Sequence, residues 1–152
     1  MCIIIDADAC NNFANHKPDY VHVHTWLKNG GVLVFSATKK LEEEFNKCNQ
    51  NYRDYFQRLR QMGQVKIIDS VEVQKETNQF QKIVGKHDPH IVALAKVSGT
   101  KIVVSGGDKG LHKKFPQQIS GGKIYQYASH EGLLRKAKCR PSSSKKLKKK
   151  RR

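Results

Sequence analysis

Short apolar runs recur along the chain with longer polar segments between them, and this pattern is the strongest constraint on the fold. Four of the runs are residues 2–5, 32–35, 65–68 and 101–105. They are rich in β-branched residues and too short for helices, which is typical of strands buried on both faces. Strands that alternate with helical segments predict a mostly parallel sheet, wrapped by helices on both faces.

The segments between these strands differ in how clearly they predict helices. Aspartate followed by proline at 88–89 is a typical helix start, and Gly99 a typical stop. Residues 70–87 are polar and ambiguous, with a helix expected from Val73 onward. The other predictions are a helix over 19–29, one long helix over 38–62, a fifth strand over 123–127 and a closing helix over 130–137.

Positive charge is concentrated at the end of the chain. The formal net charge is +16, but residues 135–152 hold eleven lysines and arginines and no acid, which leaves a net +5 on residues 1–134. We therefore expect one domain over 1–136 and a disordered basic tail over 137–152. The tail is a solvated extension, a sequence-independent phosphate clamp or, in a eukaryotic host, a localisation signal. A basic body modestly favours an anionic partner such as nucleic acid.

Cysteine spacing and hydropathy bear on the compartment. The four cysteines show no metal-type spacing, so a reduced, cytoplasmic chain is the plain expectation. No basic region precedes the first strand, so no signal peptide is expected. No run is long and apolar enough to cross a membrane, so no membrane partner is expected.

Carboxylates cluster where the predicted strands end and the next helices begin. They are Asp6, Asp8, Glu42, Glu43, Glu44, Asp88 and Asp108. The carboxyl ends of parallel strands form one edge of a sheet, which is where ligands bind in open α/β folds. Converging carboxylates repel each other unless protons or cations neutralise them. Mg²⁺ and Mn²⁺ accept such oxygen ligands and also bind phosphate groups.

Helical phase separates the three glutamates. Leu41, Phe45 and Cys48 define the buried stripe of their helix, at about 100° per residue. Glu44 borders this stripe and can reach the sheet edge, Glu42 is the second choice, and Glu43 is solvated. Complementation of the helix dipole is the alternative reading of all three.

Taken in order, four elements of the chain resemble a PIN domain over roughly residues 1–136. They are IIIDADA, KKLEEEF, HDPHIVALAKVSGTKIVVSGGD and the terminal strand with its helix. The resemblance implies a three-layer α/β/α sandwich and a Mg²⁺- or Mn²⁺-dependent ribonuclease that leaves 5′-phosphate and 3′-hydroxyl ends. It places the family's acidic tetrad at Asp6, Glu44, Asp88 and Asp108, and the family's strand-four hydroxyl at Ser105.

Two departures from the family pattern affect the last acid. Gly106-Gly107 adds a residue before Asp108, and Gly110 stands where a further acid is common. A displaced Asp108 and a weaker second metal site are therefore expected, and Asp8 could compensate. The candidates for substrate contact are Ser105, Lys109, His112, Lys113 and Lys114. His87 and His90 flank Asp88; one of them could contact phosphate, and ordinary polar surface is the plainer expectation for both.

Two other functions remain open at this point. The opening IIIDADA also resembles the D-x-D loop of haloacid-dehalogenase-like phosphatases, in which Asp6 would be the nucleophile and Asp8 the acid/base. A catalytically inactive, PIN-like RNA-binding module is the non-enzymatic alternative. A toxin, an RNA-processing factor and a defence effector would look alike, and a protein antagonist or a homodimer would be compatible with each.

Overall fold

Helices and parallel strands alternate along the chain in a computed structural model, which describes residues 2–85, 88–107 and 109–137. The strands are β1 Cys2–Ile5, β2 Val32–Ser36, β3 Val65–Ile68, β4 Ile102–Val104 and β5 Lys123–Tyr125. The α-helices are α1 Ala7–Ala14, α2 Val21–Lys28, α3 Lys39–Lys47, α4 Gln50–Gln61, α5 Ser70–Val84, α6 Pro89–Ser98 and α7 Lys109–Gln118. Two 3₁₀-helices cover Pro18–Tyr20 and Ala128–Lys136.

The five strands form one sheet in the order β3-β2-β1-β4-β5, and every neighbouring pair is parallel. Helices cover both faces, so the predicted three-layer α/β/α sandwich is confirmed. One core packs α1, α2, α4 and the closing 3₁₀-helix on the sheet. The other core packs α5, α6, α7 and Leu41 of α3 on the opposite face. Successive residues of β1 alternate between them, with Ile3 in the first core and Ile4 in the second.

The predicted single helix over 38–62 is wrong, because the chain breaks it into α3 and α4. Cys48 adopts an extended backbone conformation, and Asn49 then caps α4 by accepting a hydrogen bond from the Tyr52 amide. The Asn49 amide also donates to Asn11 Oδ1 of α1. Side-chain capping by asparagine starts a new helix efficiently, and the periodic apolar spacing conceals the break.

The expectation of reduced cysteines is also contradicted. Cys10 of α1 and Cys48, which follows α3, form a disulfide. The bond ties α3 to α1 across 38 residues of sequence. Disulfides are rare in cytosolic proteins, so this bond is an observation against the expected compartment.

Other predicted elements changed in length or type. Helix α5 starts at Ser70, ahead of the expected Val73, because Asp69 caps it through the Val71 amide. The closing segment is a 3₁₀-helix. Ala137, the first residue of the predicted tail, is buried in the core, and residues 138–152 lie outside the described residues. Among the described helices, none combines the length and apolarity that a membrane crossing requires.

His24 is a buried polar residue within the first core. Its ring stacks on Phe13 at 4.2 Å and on His16 at 4.0 Å between ring centroids. Nε2 lies 2.7 Å from the Phe13 carbonyl oxygen, and Nδ1 lies 3.0 Å from the Tyr55 hydroxyl. Burial lowers the pKa of His24 below its usual 6.5. The neutral ring is therefore a structural part of this core.

Candidate metal centre

The strand order places a crevice between β4 and β1, the central strand of the sheet. The connections leave this pair in opposite directions, since β2 and β3 lie on one side and β5 lies on the other. Such a switch point is the usual ligand site in an open α/β sheet. Asp6 follows β1 here, and its amide donates to the Val104 carbonyl at the end of β4. Ser105 follows β4 at the same level.

Asp6 is a buried carboxylate at the base of this crevice, with 3 % of its surface exposed. It is the N-cap of α1, and its Oδ1 accepts a hydrogen bond of 2.8 Å from the Ala7 amide. Burial raises the pKa of Asp6 from 3.8 to about 9, with further contributions from the charges of Asp8, Asp88 and Glu44. Without a cation, the protonated form is favoured at neutral pH.

Glu44, Asp88 and His90 meet beside Asp6, although Glu44 belongs to α3 and the other two residues belong to the start of α6. His90 Nε2 lies 2.8 Å from Glu44 Oε1 and 3.7 Å from Asp88 Oδ1. One possible ligand atom from each residue lies within 4.8 Å of the other two. The preference for Glu44 over Glu42 agrees with the structure, because Glu44 is half-buried at this cluster and Glu42 is exposed.

Asp88 occupies the N-cap position of α6 as expected, but its side chain does not cap the helix. Its φ of 53° is left-handed, a conformation that aspartate tolerates better than most residues. The negative charge of Asp88 contributes to the raised pKa of Asp6. Asp88 therefore marks the start of the helix as the sequence predicts, while its carboxylate lies in the acidic cluster.

Two lysines lie near the cluster without pairing with Asp6 or Glu44 in the described residues. Lys40 and Lys47 line a cleft of about 370 Å³ together with Asp6, Glu44 and Asp88. In the described part of the chain, however, no lysine or arginine forms an ion pair with Asp6 or Glu44. The cleft is thus lined by carboxylates together with two lysines.

Asp8 holds the loop after β4. Its Oδ1 accepts a hydrogen bond of 2.9 Å from the Gly106 amide, and its Oδ2 accepts one of 3.1 Å from the Gly107 amide. The Ser105 hydroxyl lies 3.3 Å from Oδ1. A Cβ on Gly106 would lie 3.1 Å from the Asp8 carbonyl oxygen, so a larger residue would disturb this contact. Both carboxylate oxygens are engaged, which favours a loop-holding role over the compensating ligand suggested by the sequence.

The residues predicted to contact substrate fall into two groups. Ser105 is fully buried, and its hydroxyl lies 3.4 Å from Asp6 Oδ2 and 3.3 Å from His112 Nε2. The buried hydroxyl is therefore better placed to position Asp6 and His112 than to contact a substrate directly. Lys109 and Lys113 are exposed on α7, and Lys114 is half-buried. Helix α7 begins at the same edge as Asp6, so its lysines stay candidates for phosphate contact.

Asp108 and His87 lie outside the described residues. Asp108 follows directly on Gly107, whose amide Asp8 holds, and its predicted role stays a prediction. The expectation that His90 lies on the polar surface is wrong, because the residue is buried, with 3 % of its surface exposed. The available signal was its position two residues after Asp88, in the first turn of a strongly apolar helix.

The donor set fits a divalent cation. Asp6, Glu44 and Asp88 supply the carboxylate oxygens that Mg²⁺ and Mn²⁺ accept, and His90 adds an imidazole nitrogen. Burial and the repulsion from neighbouring acids raise the pKa of Asp6, and a bound cation would offset the cost of both. Comparison with known proteins adds no assignment: no protein-family model matches the chain, and no curated protein matches it.

Proposed function

We propose that this protein is a Mg²⁺- or Mn²⁺-dependent ribonuclease of PIN type. The observation that carries the proposal is a buried Asp6 surrounded by Asp8, Asp88 and Glu44, with no lysine or arginine paired to Asp6 in the described residues. Such an arrangement is costly to a folded protein unless a proton or a cation neutralises it. The resemblance of the sequence to PIN domains supports RNA as the substrate.

The proposed roles follow from position. Asp6, Glu44 and Asp88 would hold the ion, together with Asp108 if its sequence position serves the same edge. A bound ion of this kind lowers the pKa of water and stabilises charge that develops on phosphate oxygens. Lys40 and Lys47, which line the cleft, would attract the RNA backbone by charge. Asp8 and Ser105 would fix the loop after β4.

A phosphatase is less well supported. That mechanism requires Asp8 as a mobile acid/base, whereas both oxygens of Asp8 accept hydrogen bonds from Gly106 and Gly107. The inactive RNA-binding module stays the main alternative, since basic charge alone would serve it. A cytoplasmic location, a protein antagonist and a homodimer stay predictions, and the Cys10–Cys48 disulfide is an observation against the first.

RNA cleavage tests the proposal directly. The full chain is incubated with 5′-labelled single-stranded RNA and MgCl₂ or MnCl₂, beside Asp6→Asn and, as a control, Asp54→Asn. Asp54 is an exposed carboxylate outside the site, so its variant should cleave normally. We expect Asp6→Asn to be inactive and cleavage to stop with EDTA. Equal cleavage by Asp6→Asn would refute the assignment, and RNA binding without cleavage would favour the inactive module.

A further inference from the structure

His90 contributes an imidazole ring to a cluster that is otherwise made of carboxylates. The side chain is 4 % exposed, and those of Glu44 and Asp88 are each 19 % exposed. Nε2 is the ring atom that faces both carboxylates, at 2.8 Å and 3.7 Å. A surface histidine that merely screens phosphate would not be buried with one nitrogen directed at two acids.

The separations match those between ligands of a single ion. Donor atoms about 2.1 Å from a common ion lie about 3.0 Å apart in an octahedral site and about 3.4 Å apart in a tetrahedral one. The observed 2.8 Å, which is also the length of a hydrogen bond, and the observed 3.7 Å lie on either side of these values. Neutral imidazole carries one N–H, so Nε2 presents a lone pair when the proton lies on Nδ1.

We propose that His90 Nε2 is a direct ligand, with Glu44 and Asp88, of a divalent transition ion such as Mn²⁺, and that this ligand makes the site prefer Mn²⁺ over Mg²⁺. Mg²⁺ favours oxygen ligands and retained water, whereas transition ions accept imidazole nitrogen readily. This inference rests on the proposed function, because that function supplies the reason for an ion at this edge. It goes further by naming a nitrogen ligand that the acidic tetrad lacks.

Direct metal binding to the full chain tests the ligand. Calorimetric titration with MnCl₂ and MgCl₂ gives the ratio of the two affinities for the wild type, His90→Gln and the control His22→Gln. Glutamine can still donate a hydrogen bond to Glu44, so His90→Gln removes the nitrogen ligand while keeping the positioning contact. We expect it to lower Mn²⁺ affinity by about tenfold or more with little change for Mg²⁺. His22 pairs with Glu131 on the surface, and its variant should bind both ions normally.

A spectroscopic measurement separates a ligand from a positioning residue. Pulsed electron paramagnetic resonance of bound Mn²⁺ should show coupling to imidazole ¹⁴N in the wild type and in His22→Gln, and none in His90→Gln. Wild-type protein without this coupling, or an unchanged affinity ratio in His90→Gln, would overturn the ligand assignment.

The two proposals can fail separately. RNA cleavage that is lost in Asp6→Asn, with no ¹⁴N coupling, would overturn only the role of His90. His90-dependent Mn²⁺ binding without RNA cleavage would overturn the ribonuclease and leave the ligand in place.

Discussion

Replacing Asp6 by asparagine should remove a large part of the pH dependence of stability in the metal-free protein. Burial and neighbouring acids raise the pKa of Asp6 from 3.8 to about 9. Between these values the folded carboxyl holds a proton that the unfolded chain releases. The folded state thus binds about one proton more, and the free energy of unfolding falls as pH rises. Stability from this group is fully present below pH 3.8 and is lost progressively up to about pH 9.

The size of this stability change follows from the difference of one bound proton between the folded and unfolded states. The slope is about 1.4 kcal/mol per pH unit, so the contribution lost between pH 5 and pH 8 is at most about 4 kcal/mol. Domains of this kind are stable by about 5–15 kcal/mol, so the change is readily measured. Asp6→Asn carries no charge and lacks this contribution. In EDTA at pH 8 the variant should be the more stable protein.

Urea unfolding in EDTA at several pH values from 5 to 8 measures this slope, with disulfides kept intact. The difference between the wild type and Asp6→Asn isolates Asp6, because other titrating groups are common to both. The exposed Asp54→Asn should retain the wild-type slope. Added MgCl₂ should stabilise the wild type increasingly as pH rises, and should not stabilise Asp6→Asn. Parallel slopes for the wild type and Asp6→Asn would refute the reasoning.

Three further outcomes follow from particular contacts. Asp8→Ala should lower stability by about 1–3 kcal/mol and weaken RNA cleavage without abolishing it, because it frees two loop amides. The control Asp19→Ala removes another surface acceptor of a backbone amide and should leave cleavage normal. Complete loss of cleavage in Asp8→Ala would instead fit an acid/base role. Burial lowers the pKa of His24, so its contribution to stability is present above pH 6.5 and is lost as pH falls below that value. In urea titrations, His24→Gln should abolish the fall in stability at low pH, and the control His22→Gln should retain it. An unchanged pH profile in His24→Gln would contradict the assignment of this fall to His24. Cys48→Ser opens a cross-link over 38 residues and should cost about 4 kcal/mol in the chain-entropy model; reductant should destabilise the wild type by about this much more than it destabilises the variant.

Local patterns in the sequence were enough for the architecture and for the positions of Asp6 and Glu44. Period and length distinguish strands from helices without reference to the rest of the chain, and alternating elements leave a parallel sheet as the simplest packing. Asp6 lies at the sheet edge because it follows β1 directly. Helical phase placed Glu44 beside the buried stripe, since the rotation per residue is the same in any α-helix.

Contacts between distant segments were decided only when the chain packed. The break at Cys48 depends on Cys10 and Asn11 of another helix, so the periodic spacing across residues 38–62 could not reveal it. Asp8 engages amides 98 and 99 residues away, and His90 is paired with a glutamate 46 residues away. The spacing of apolar residues indicates only which face of each segment packs against the core. Strand order and helix packing decide which side chains lie in the same crevice. In this fold they bring several carboxylates together, and this grouping sets the charge of the site.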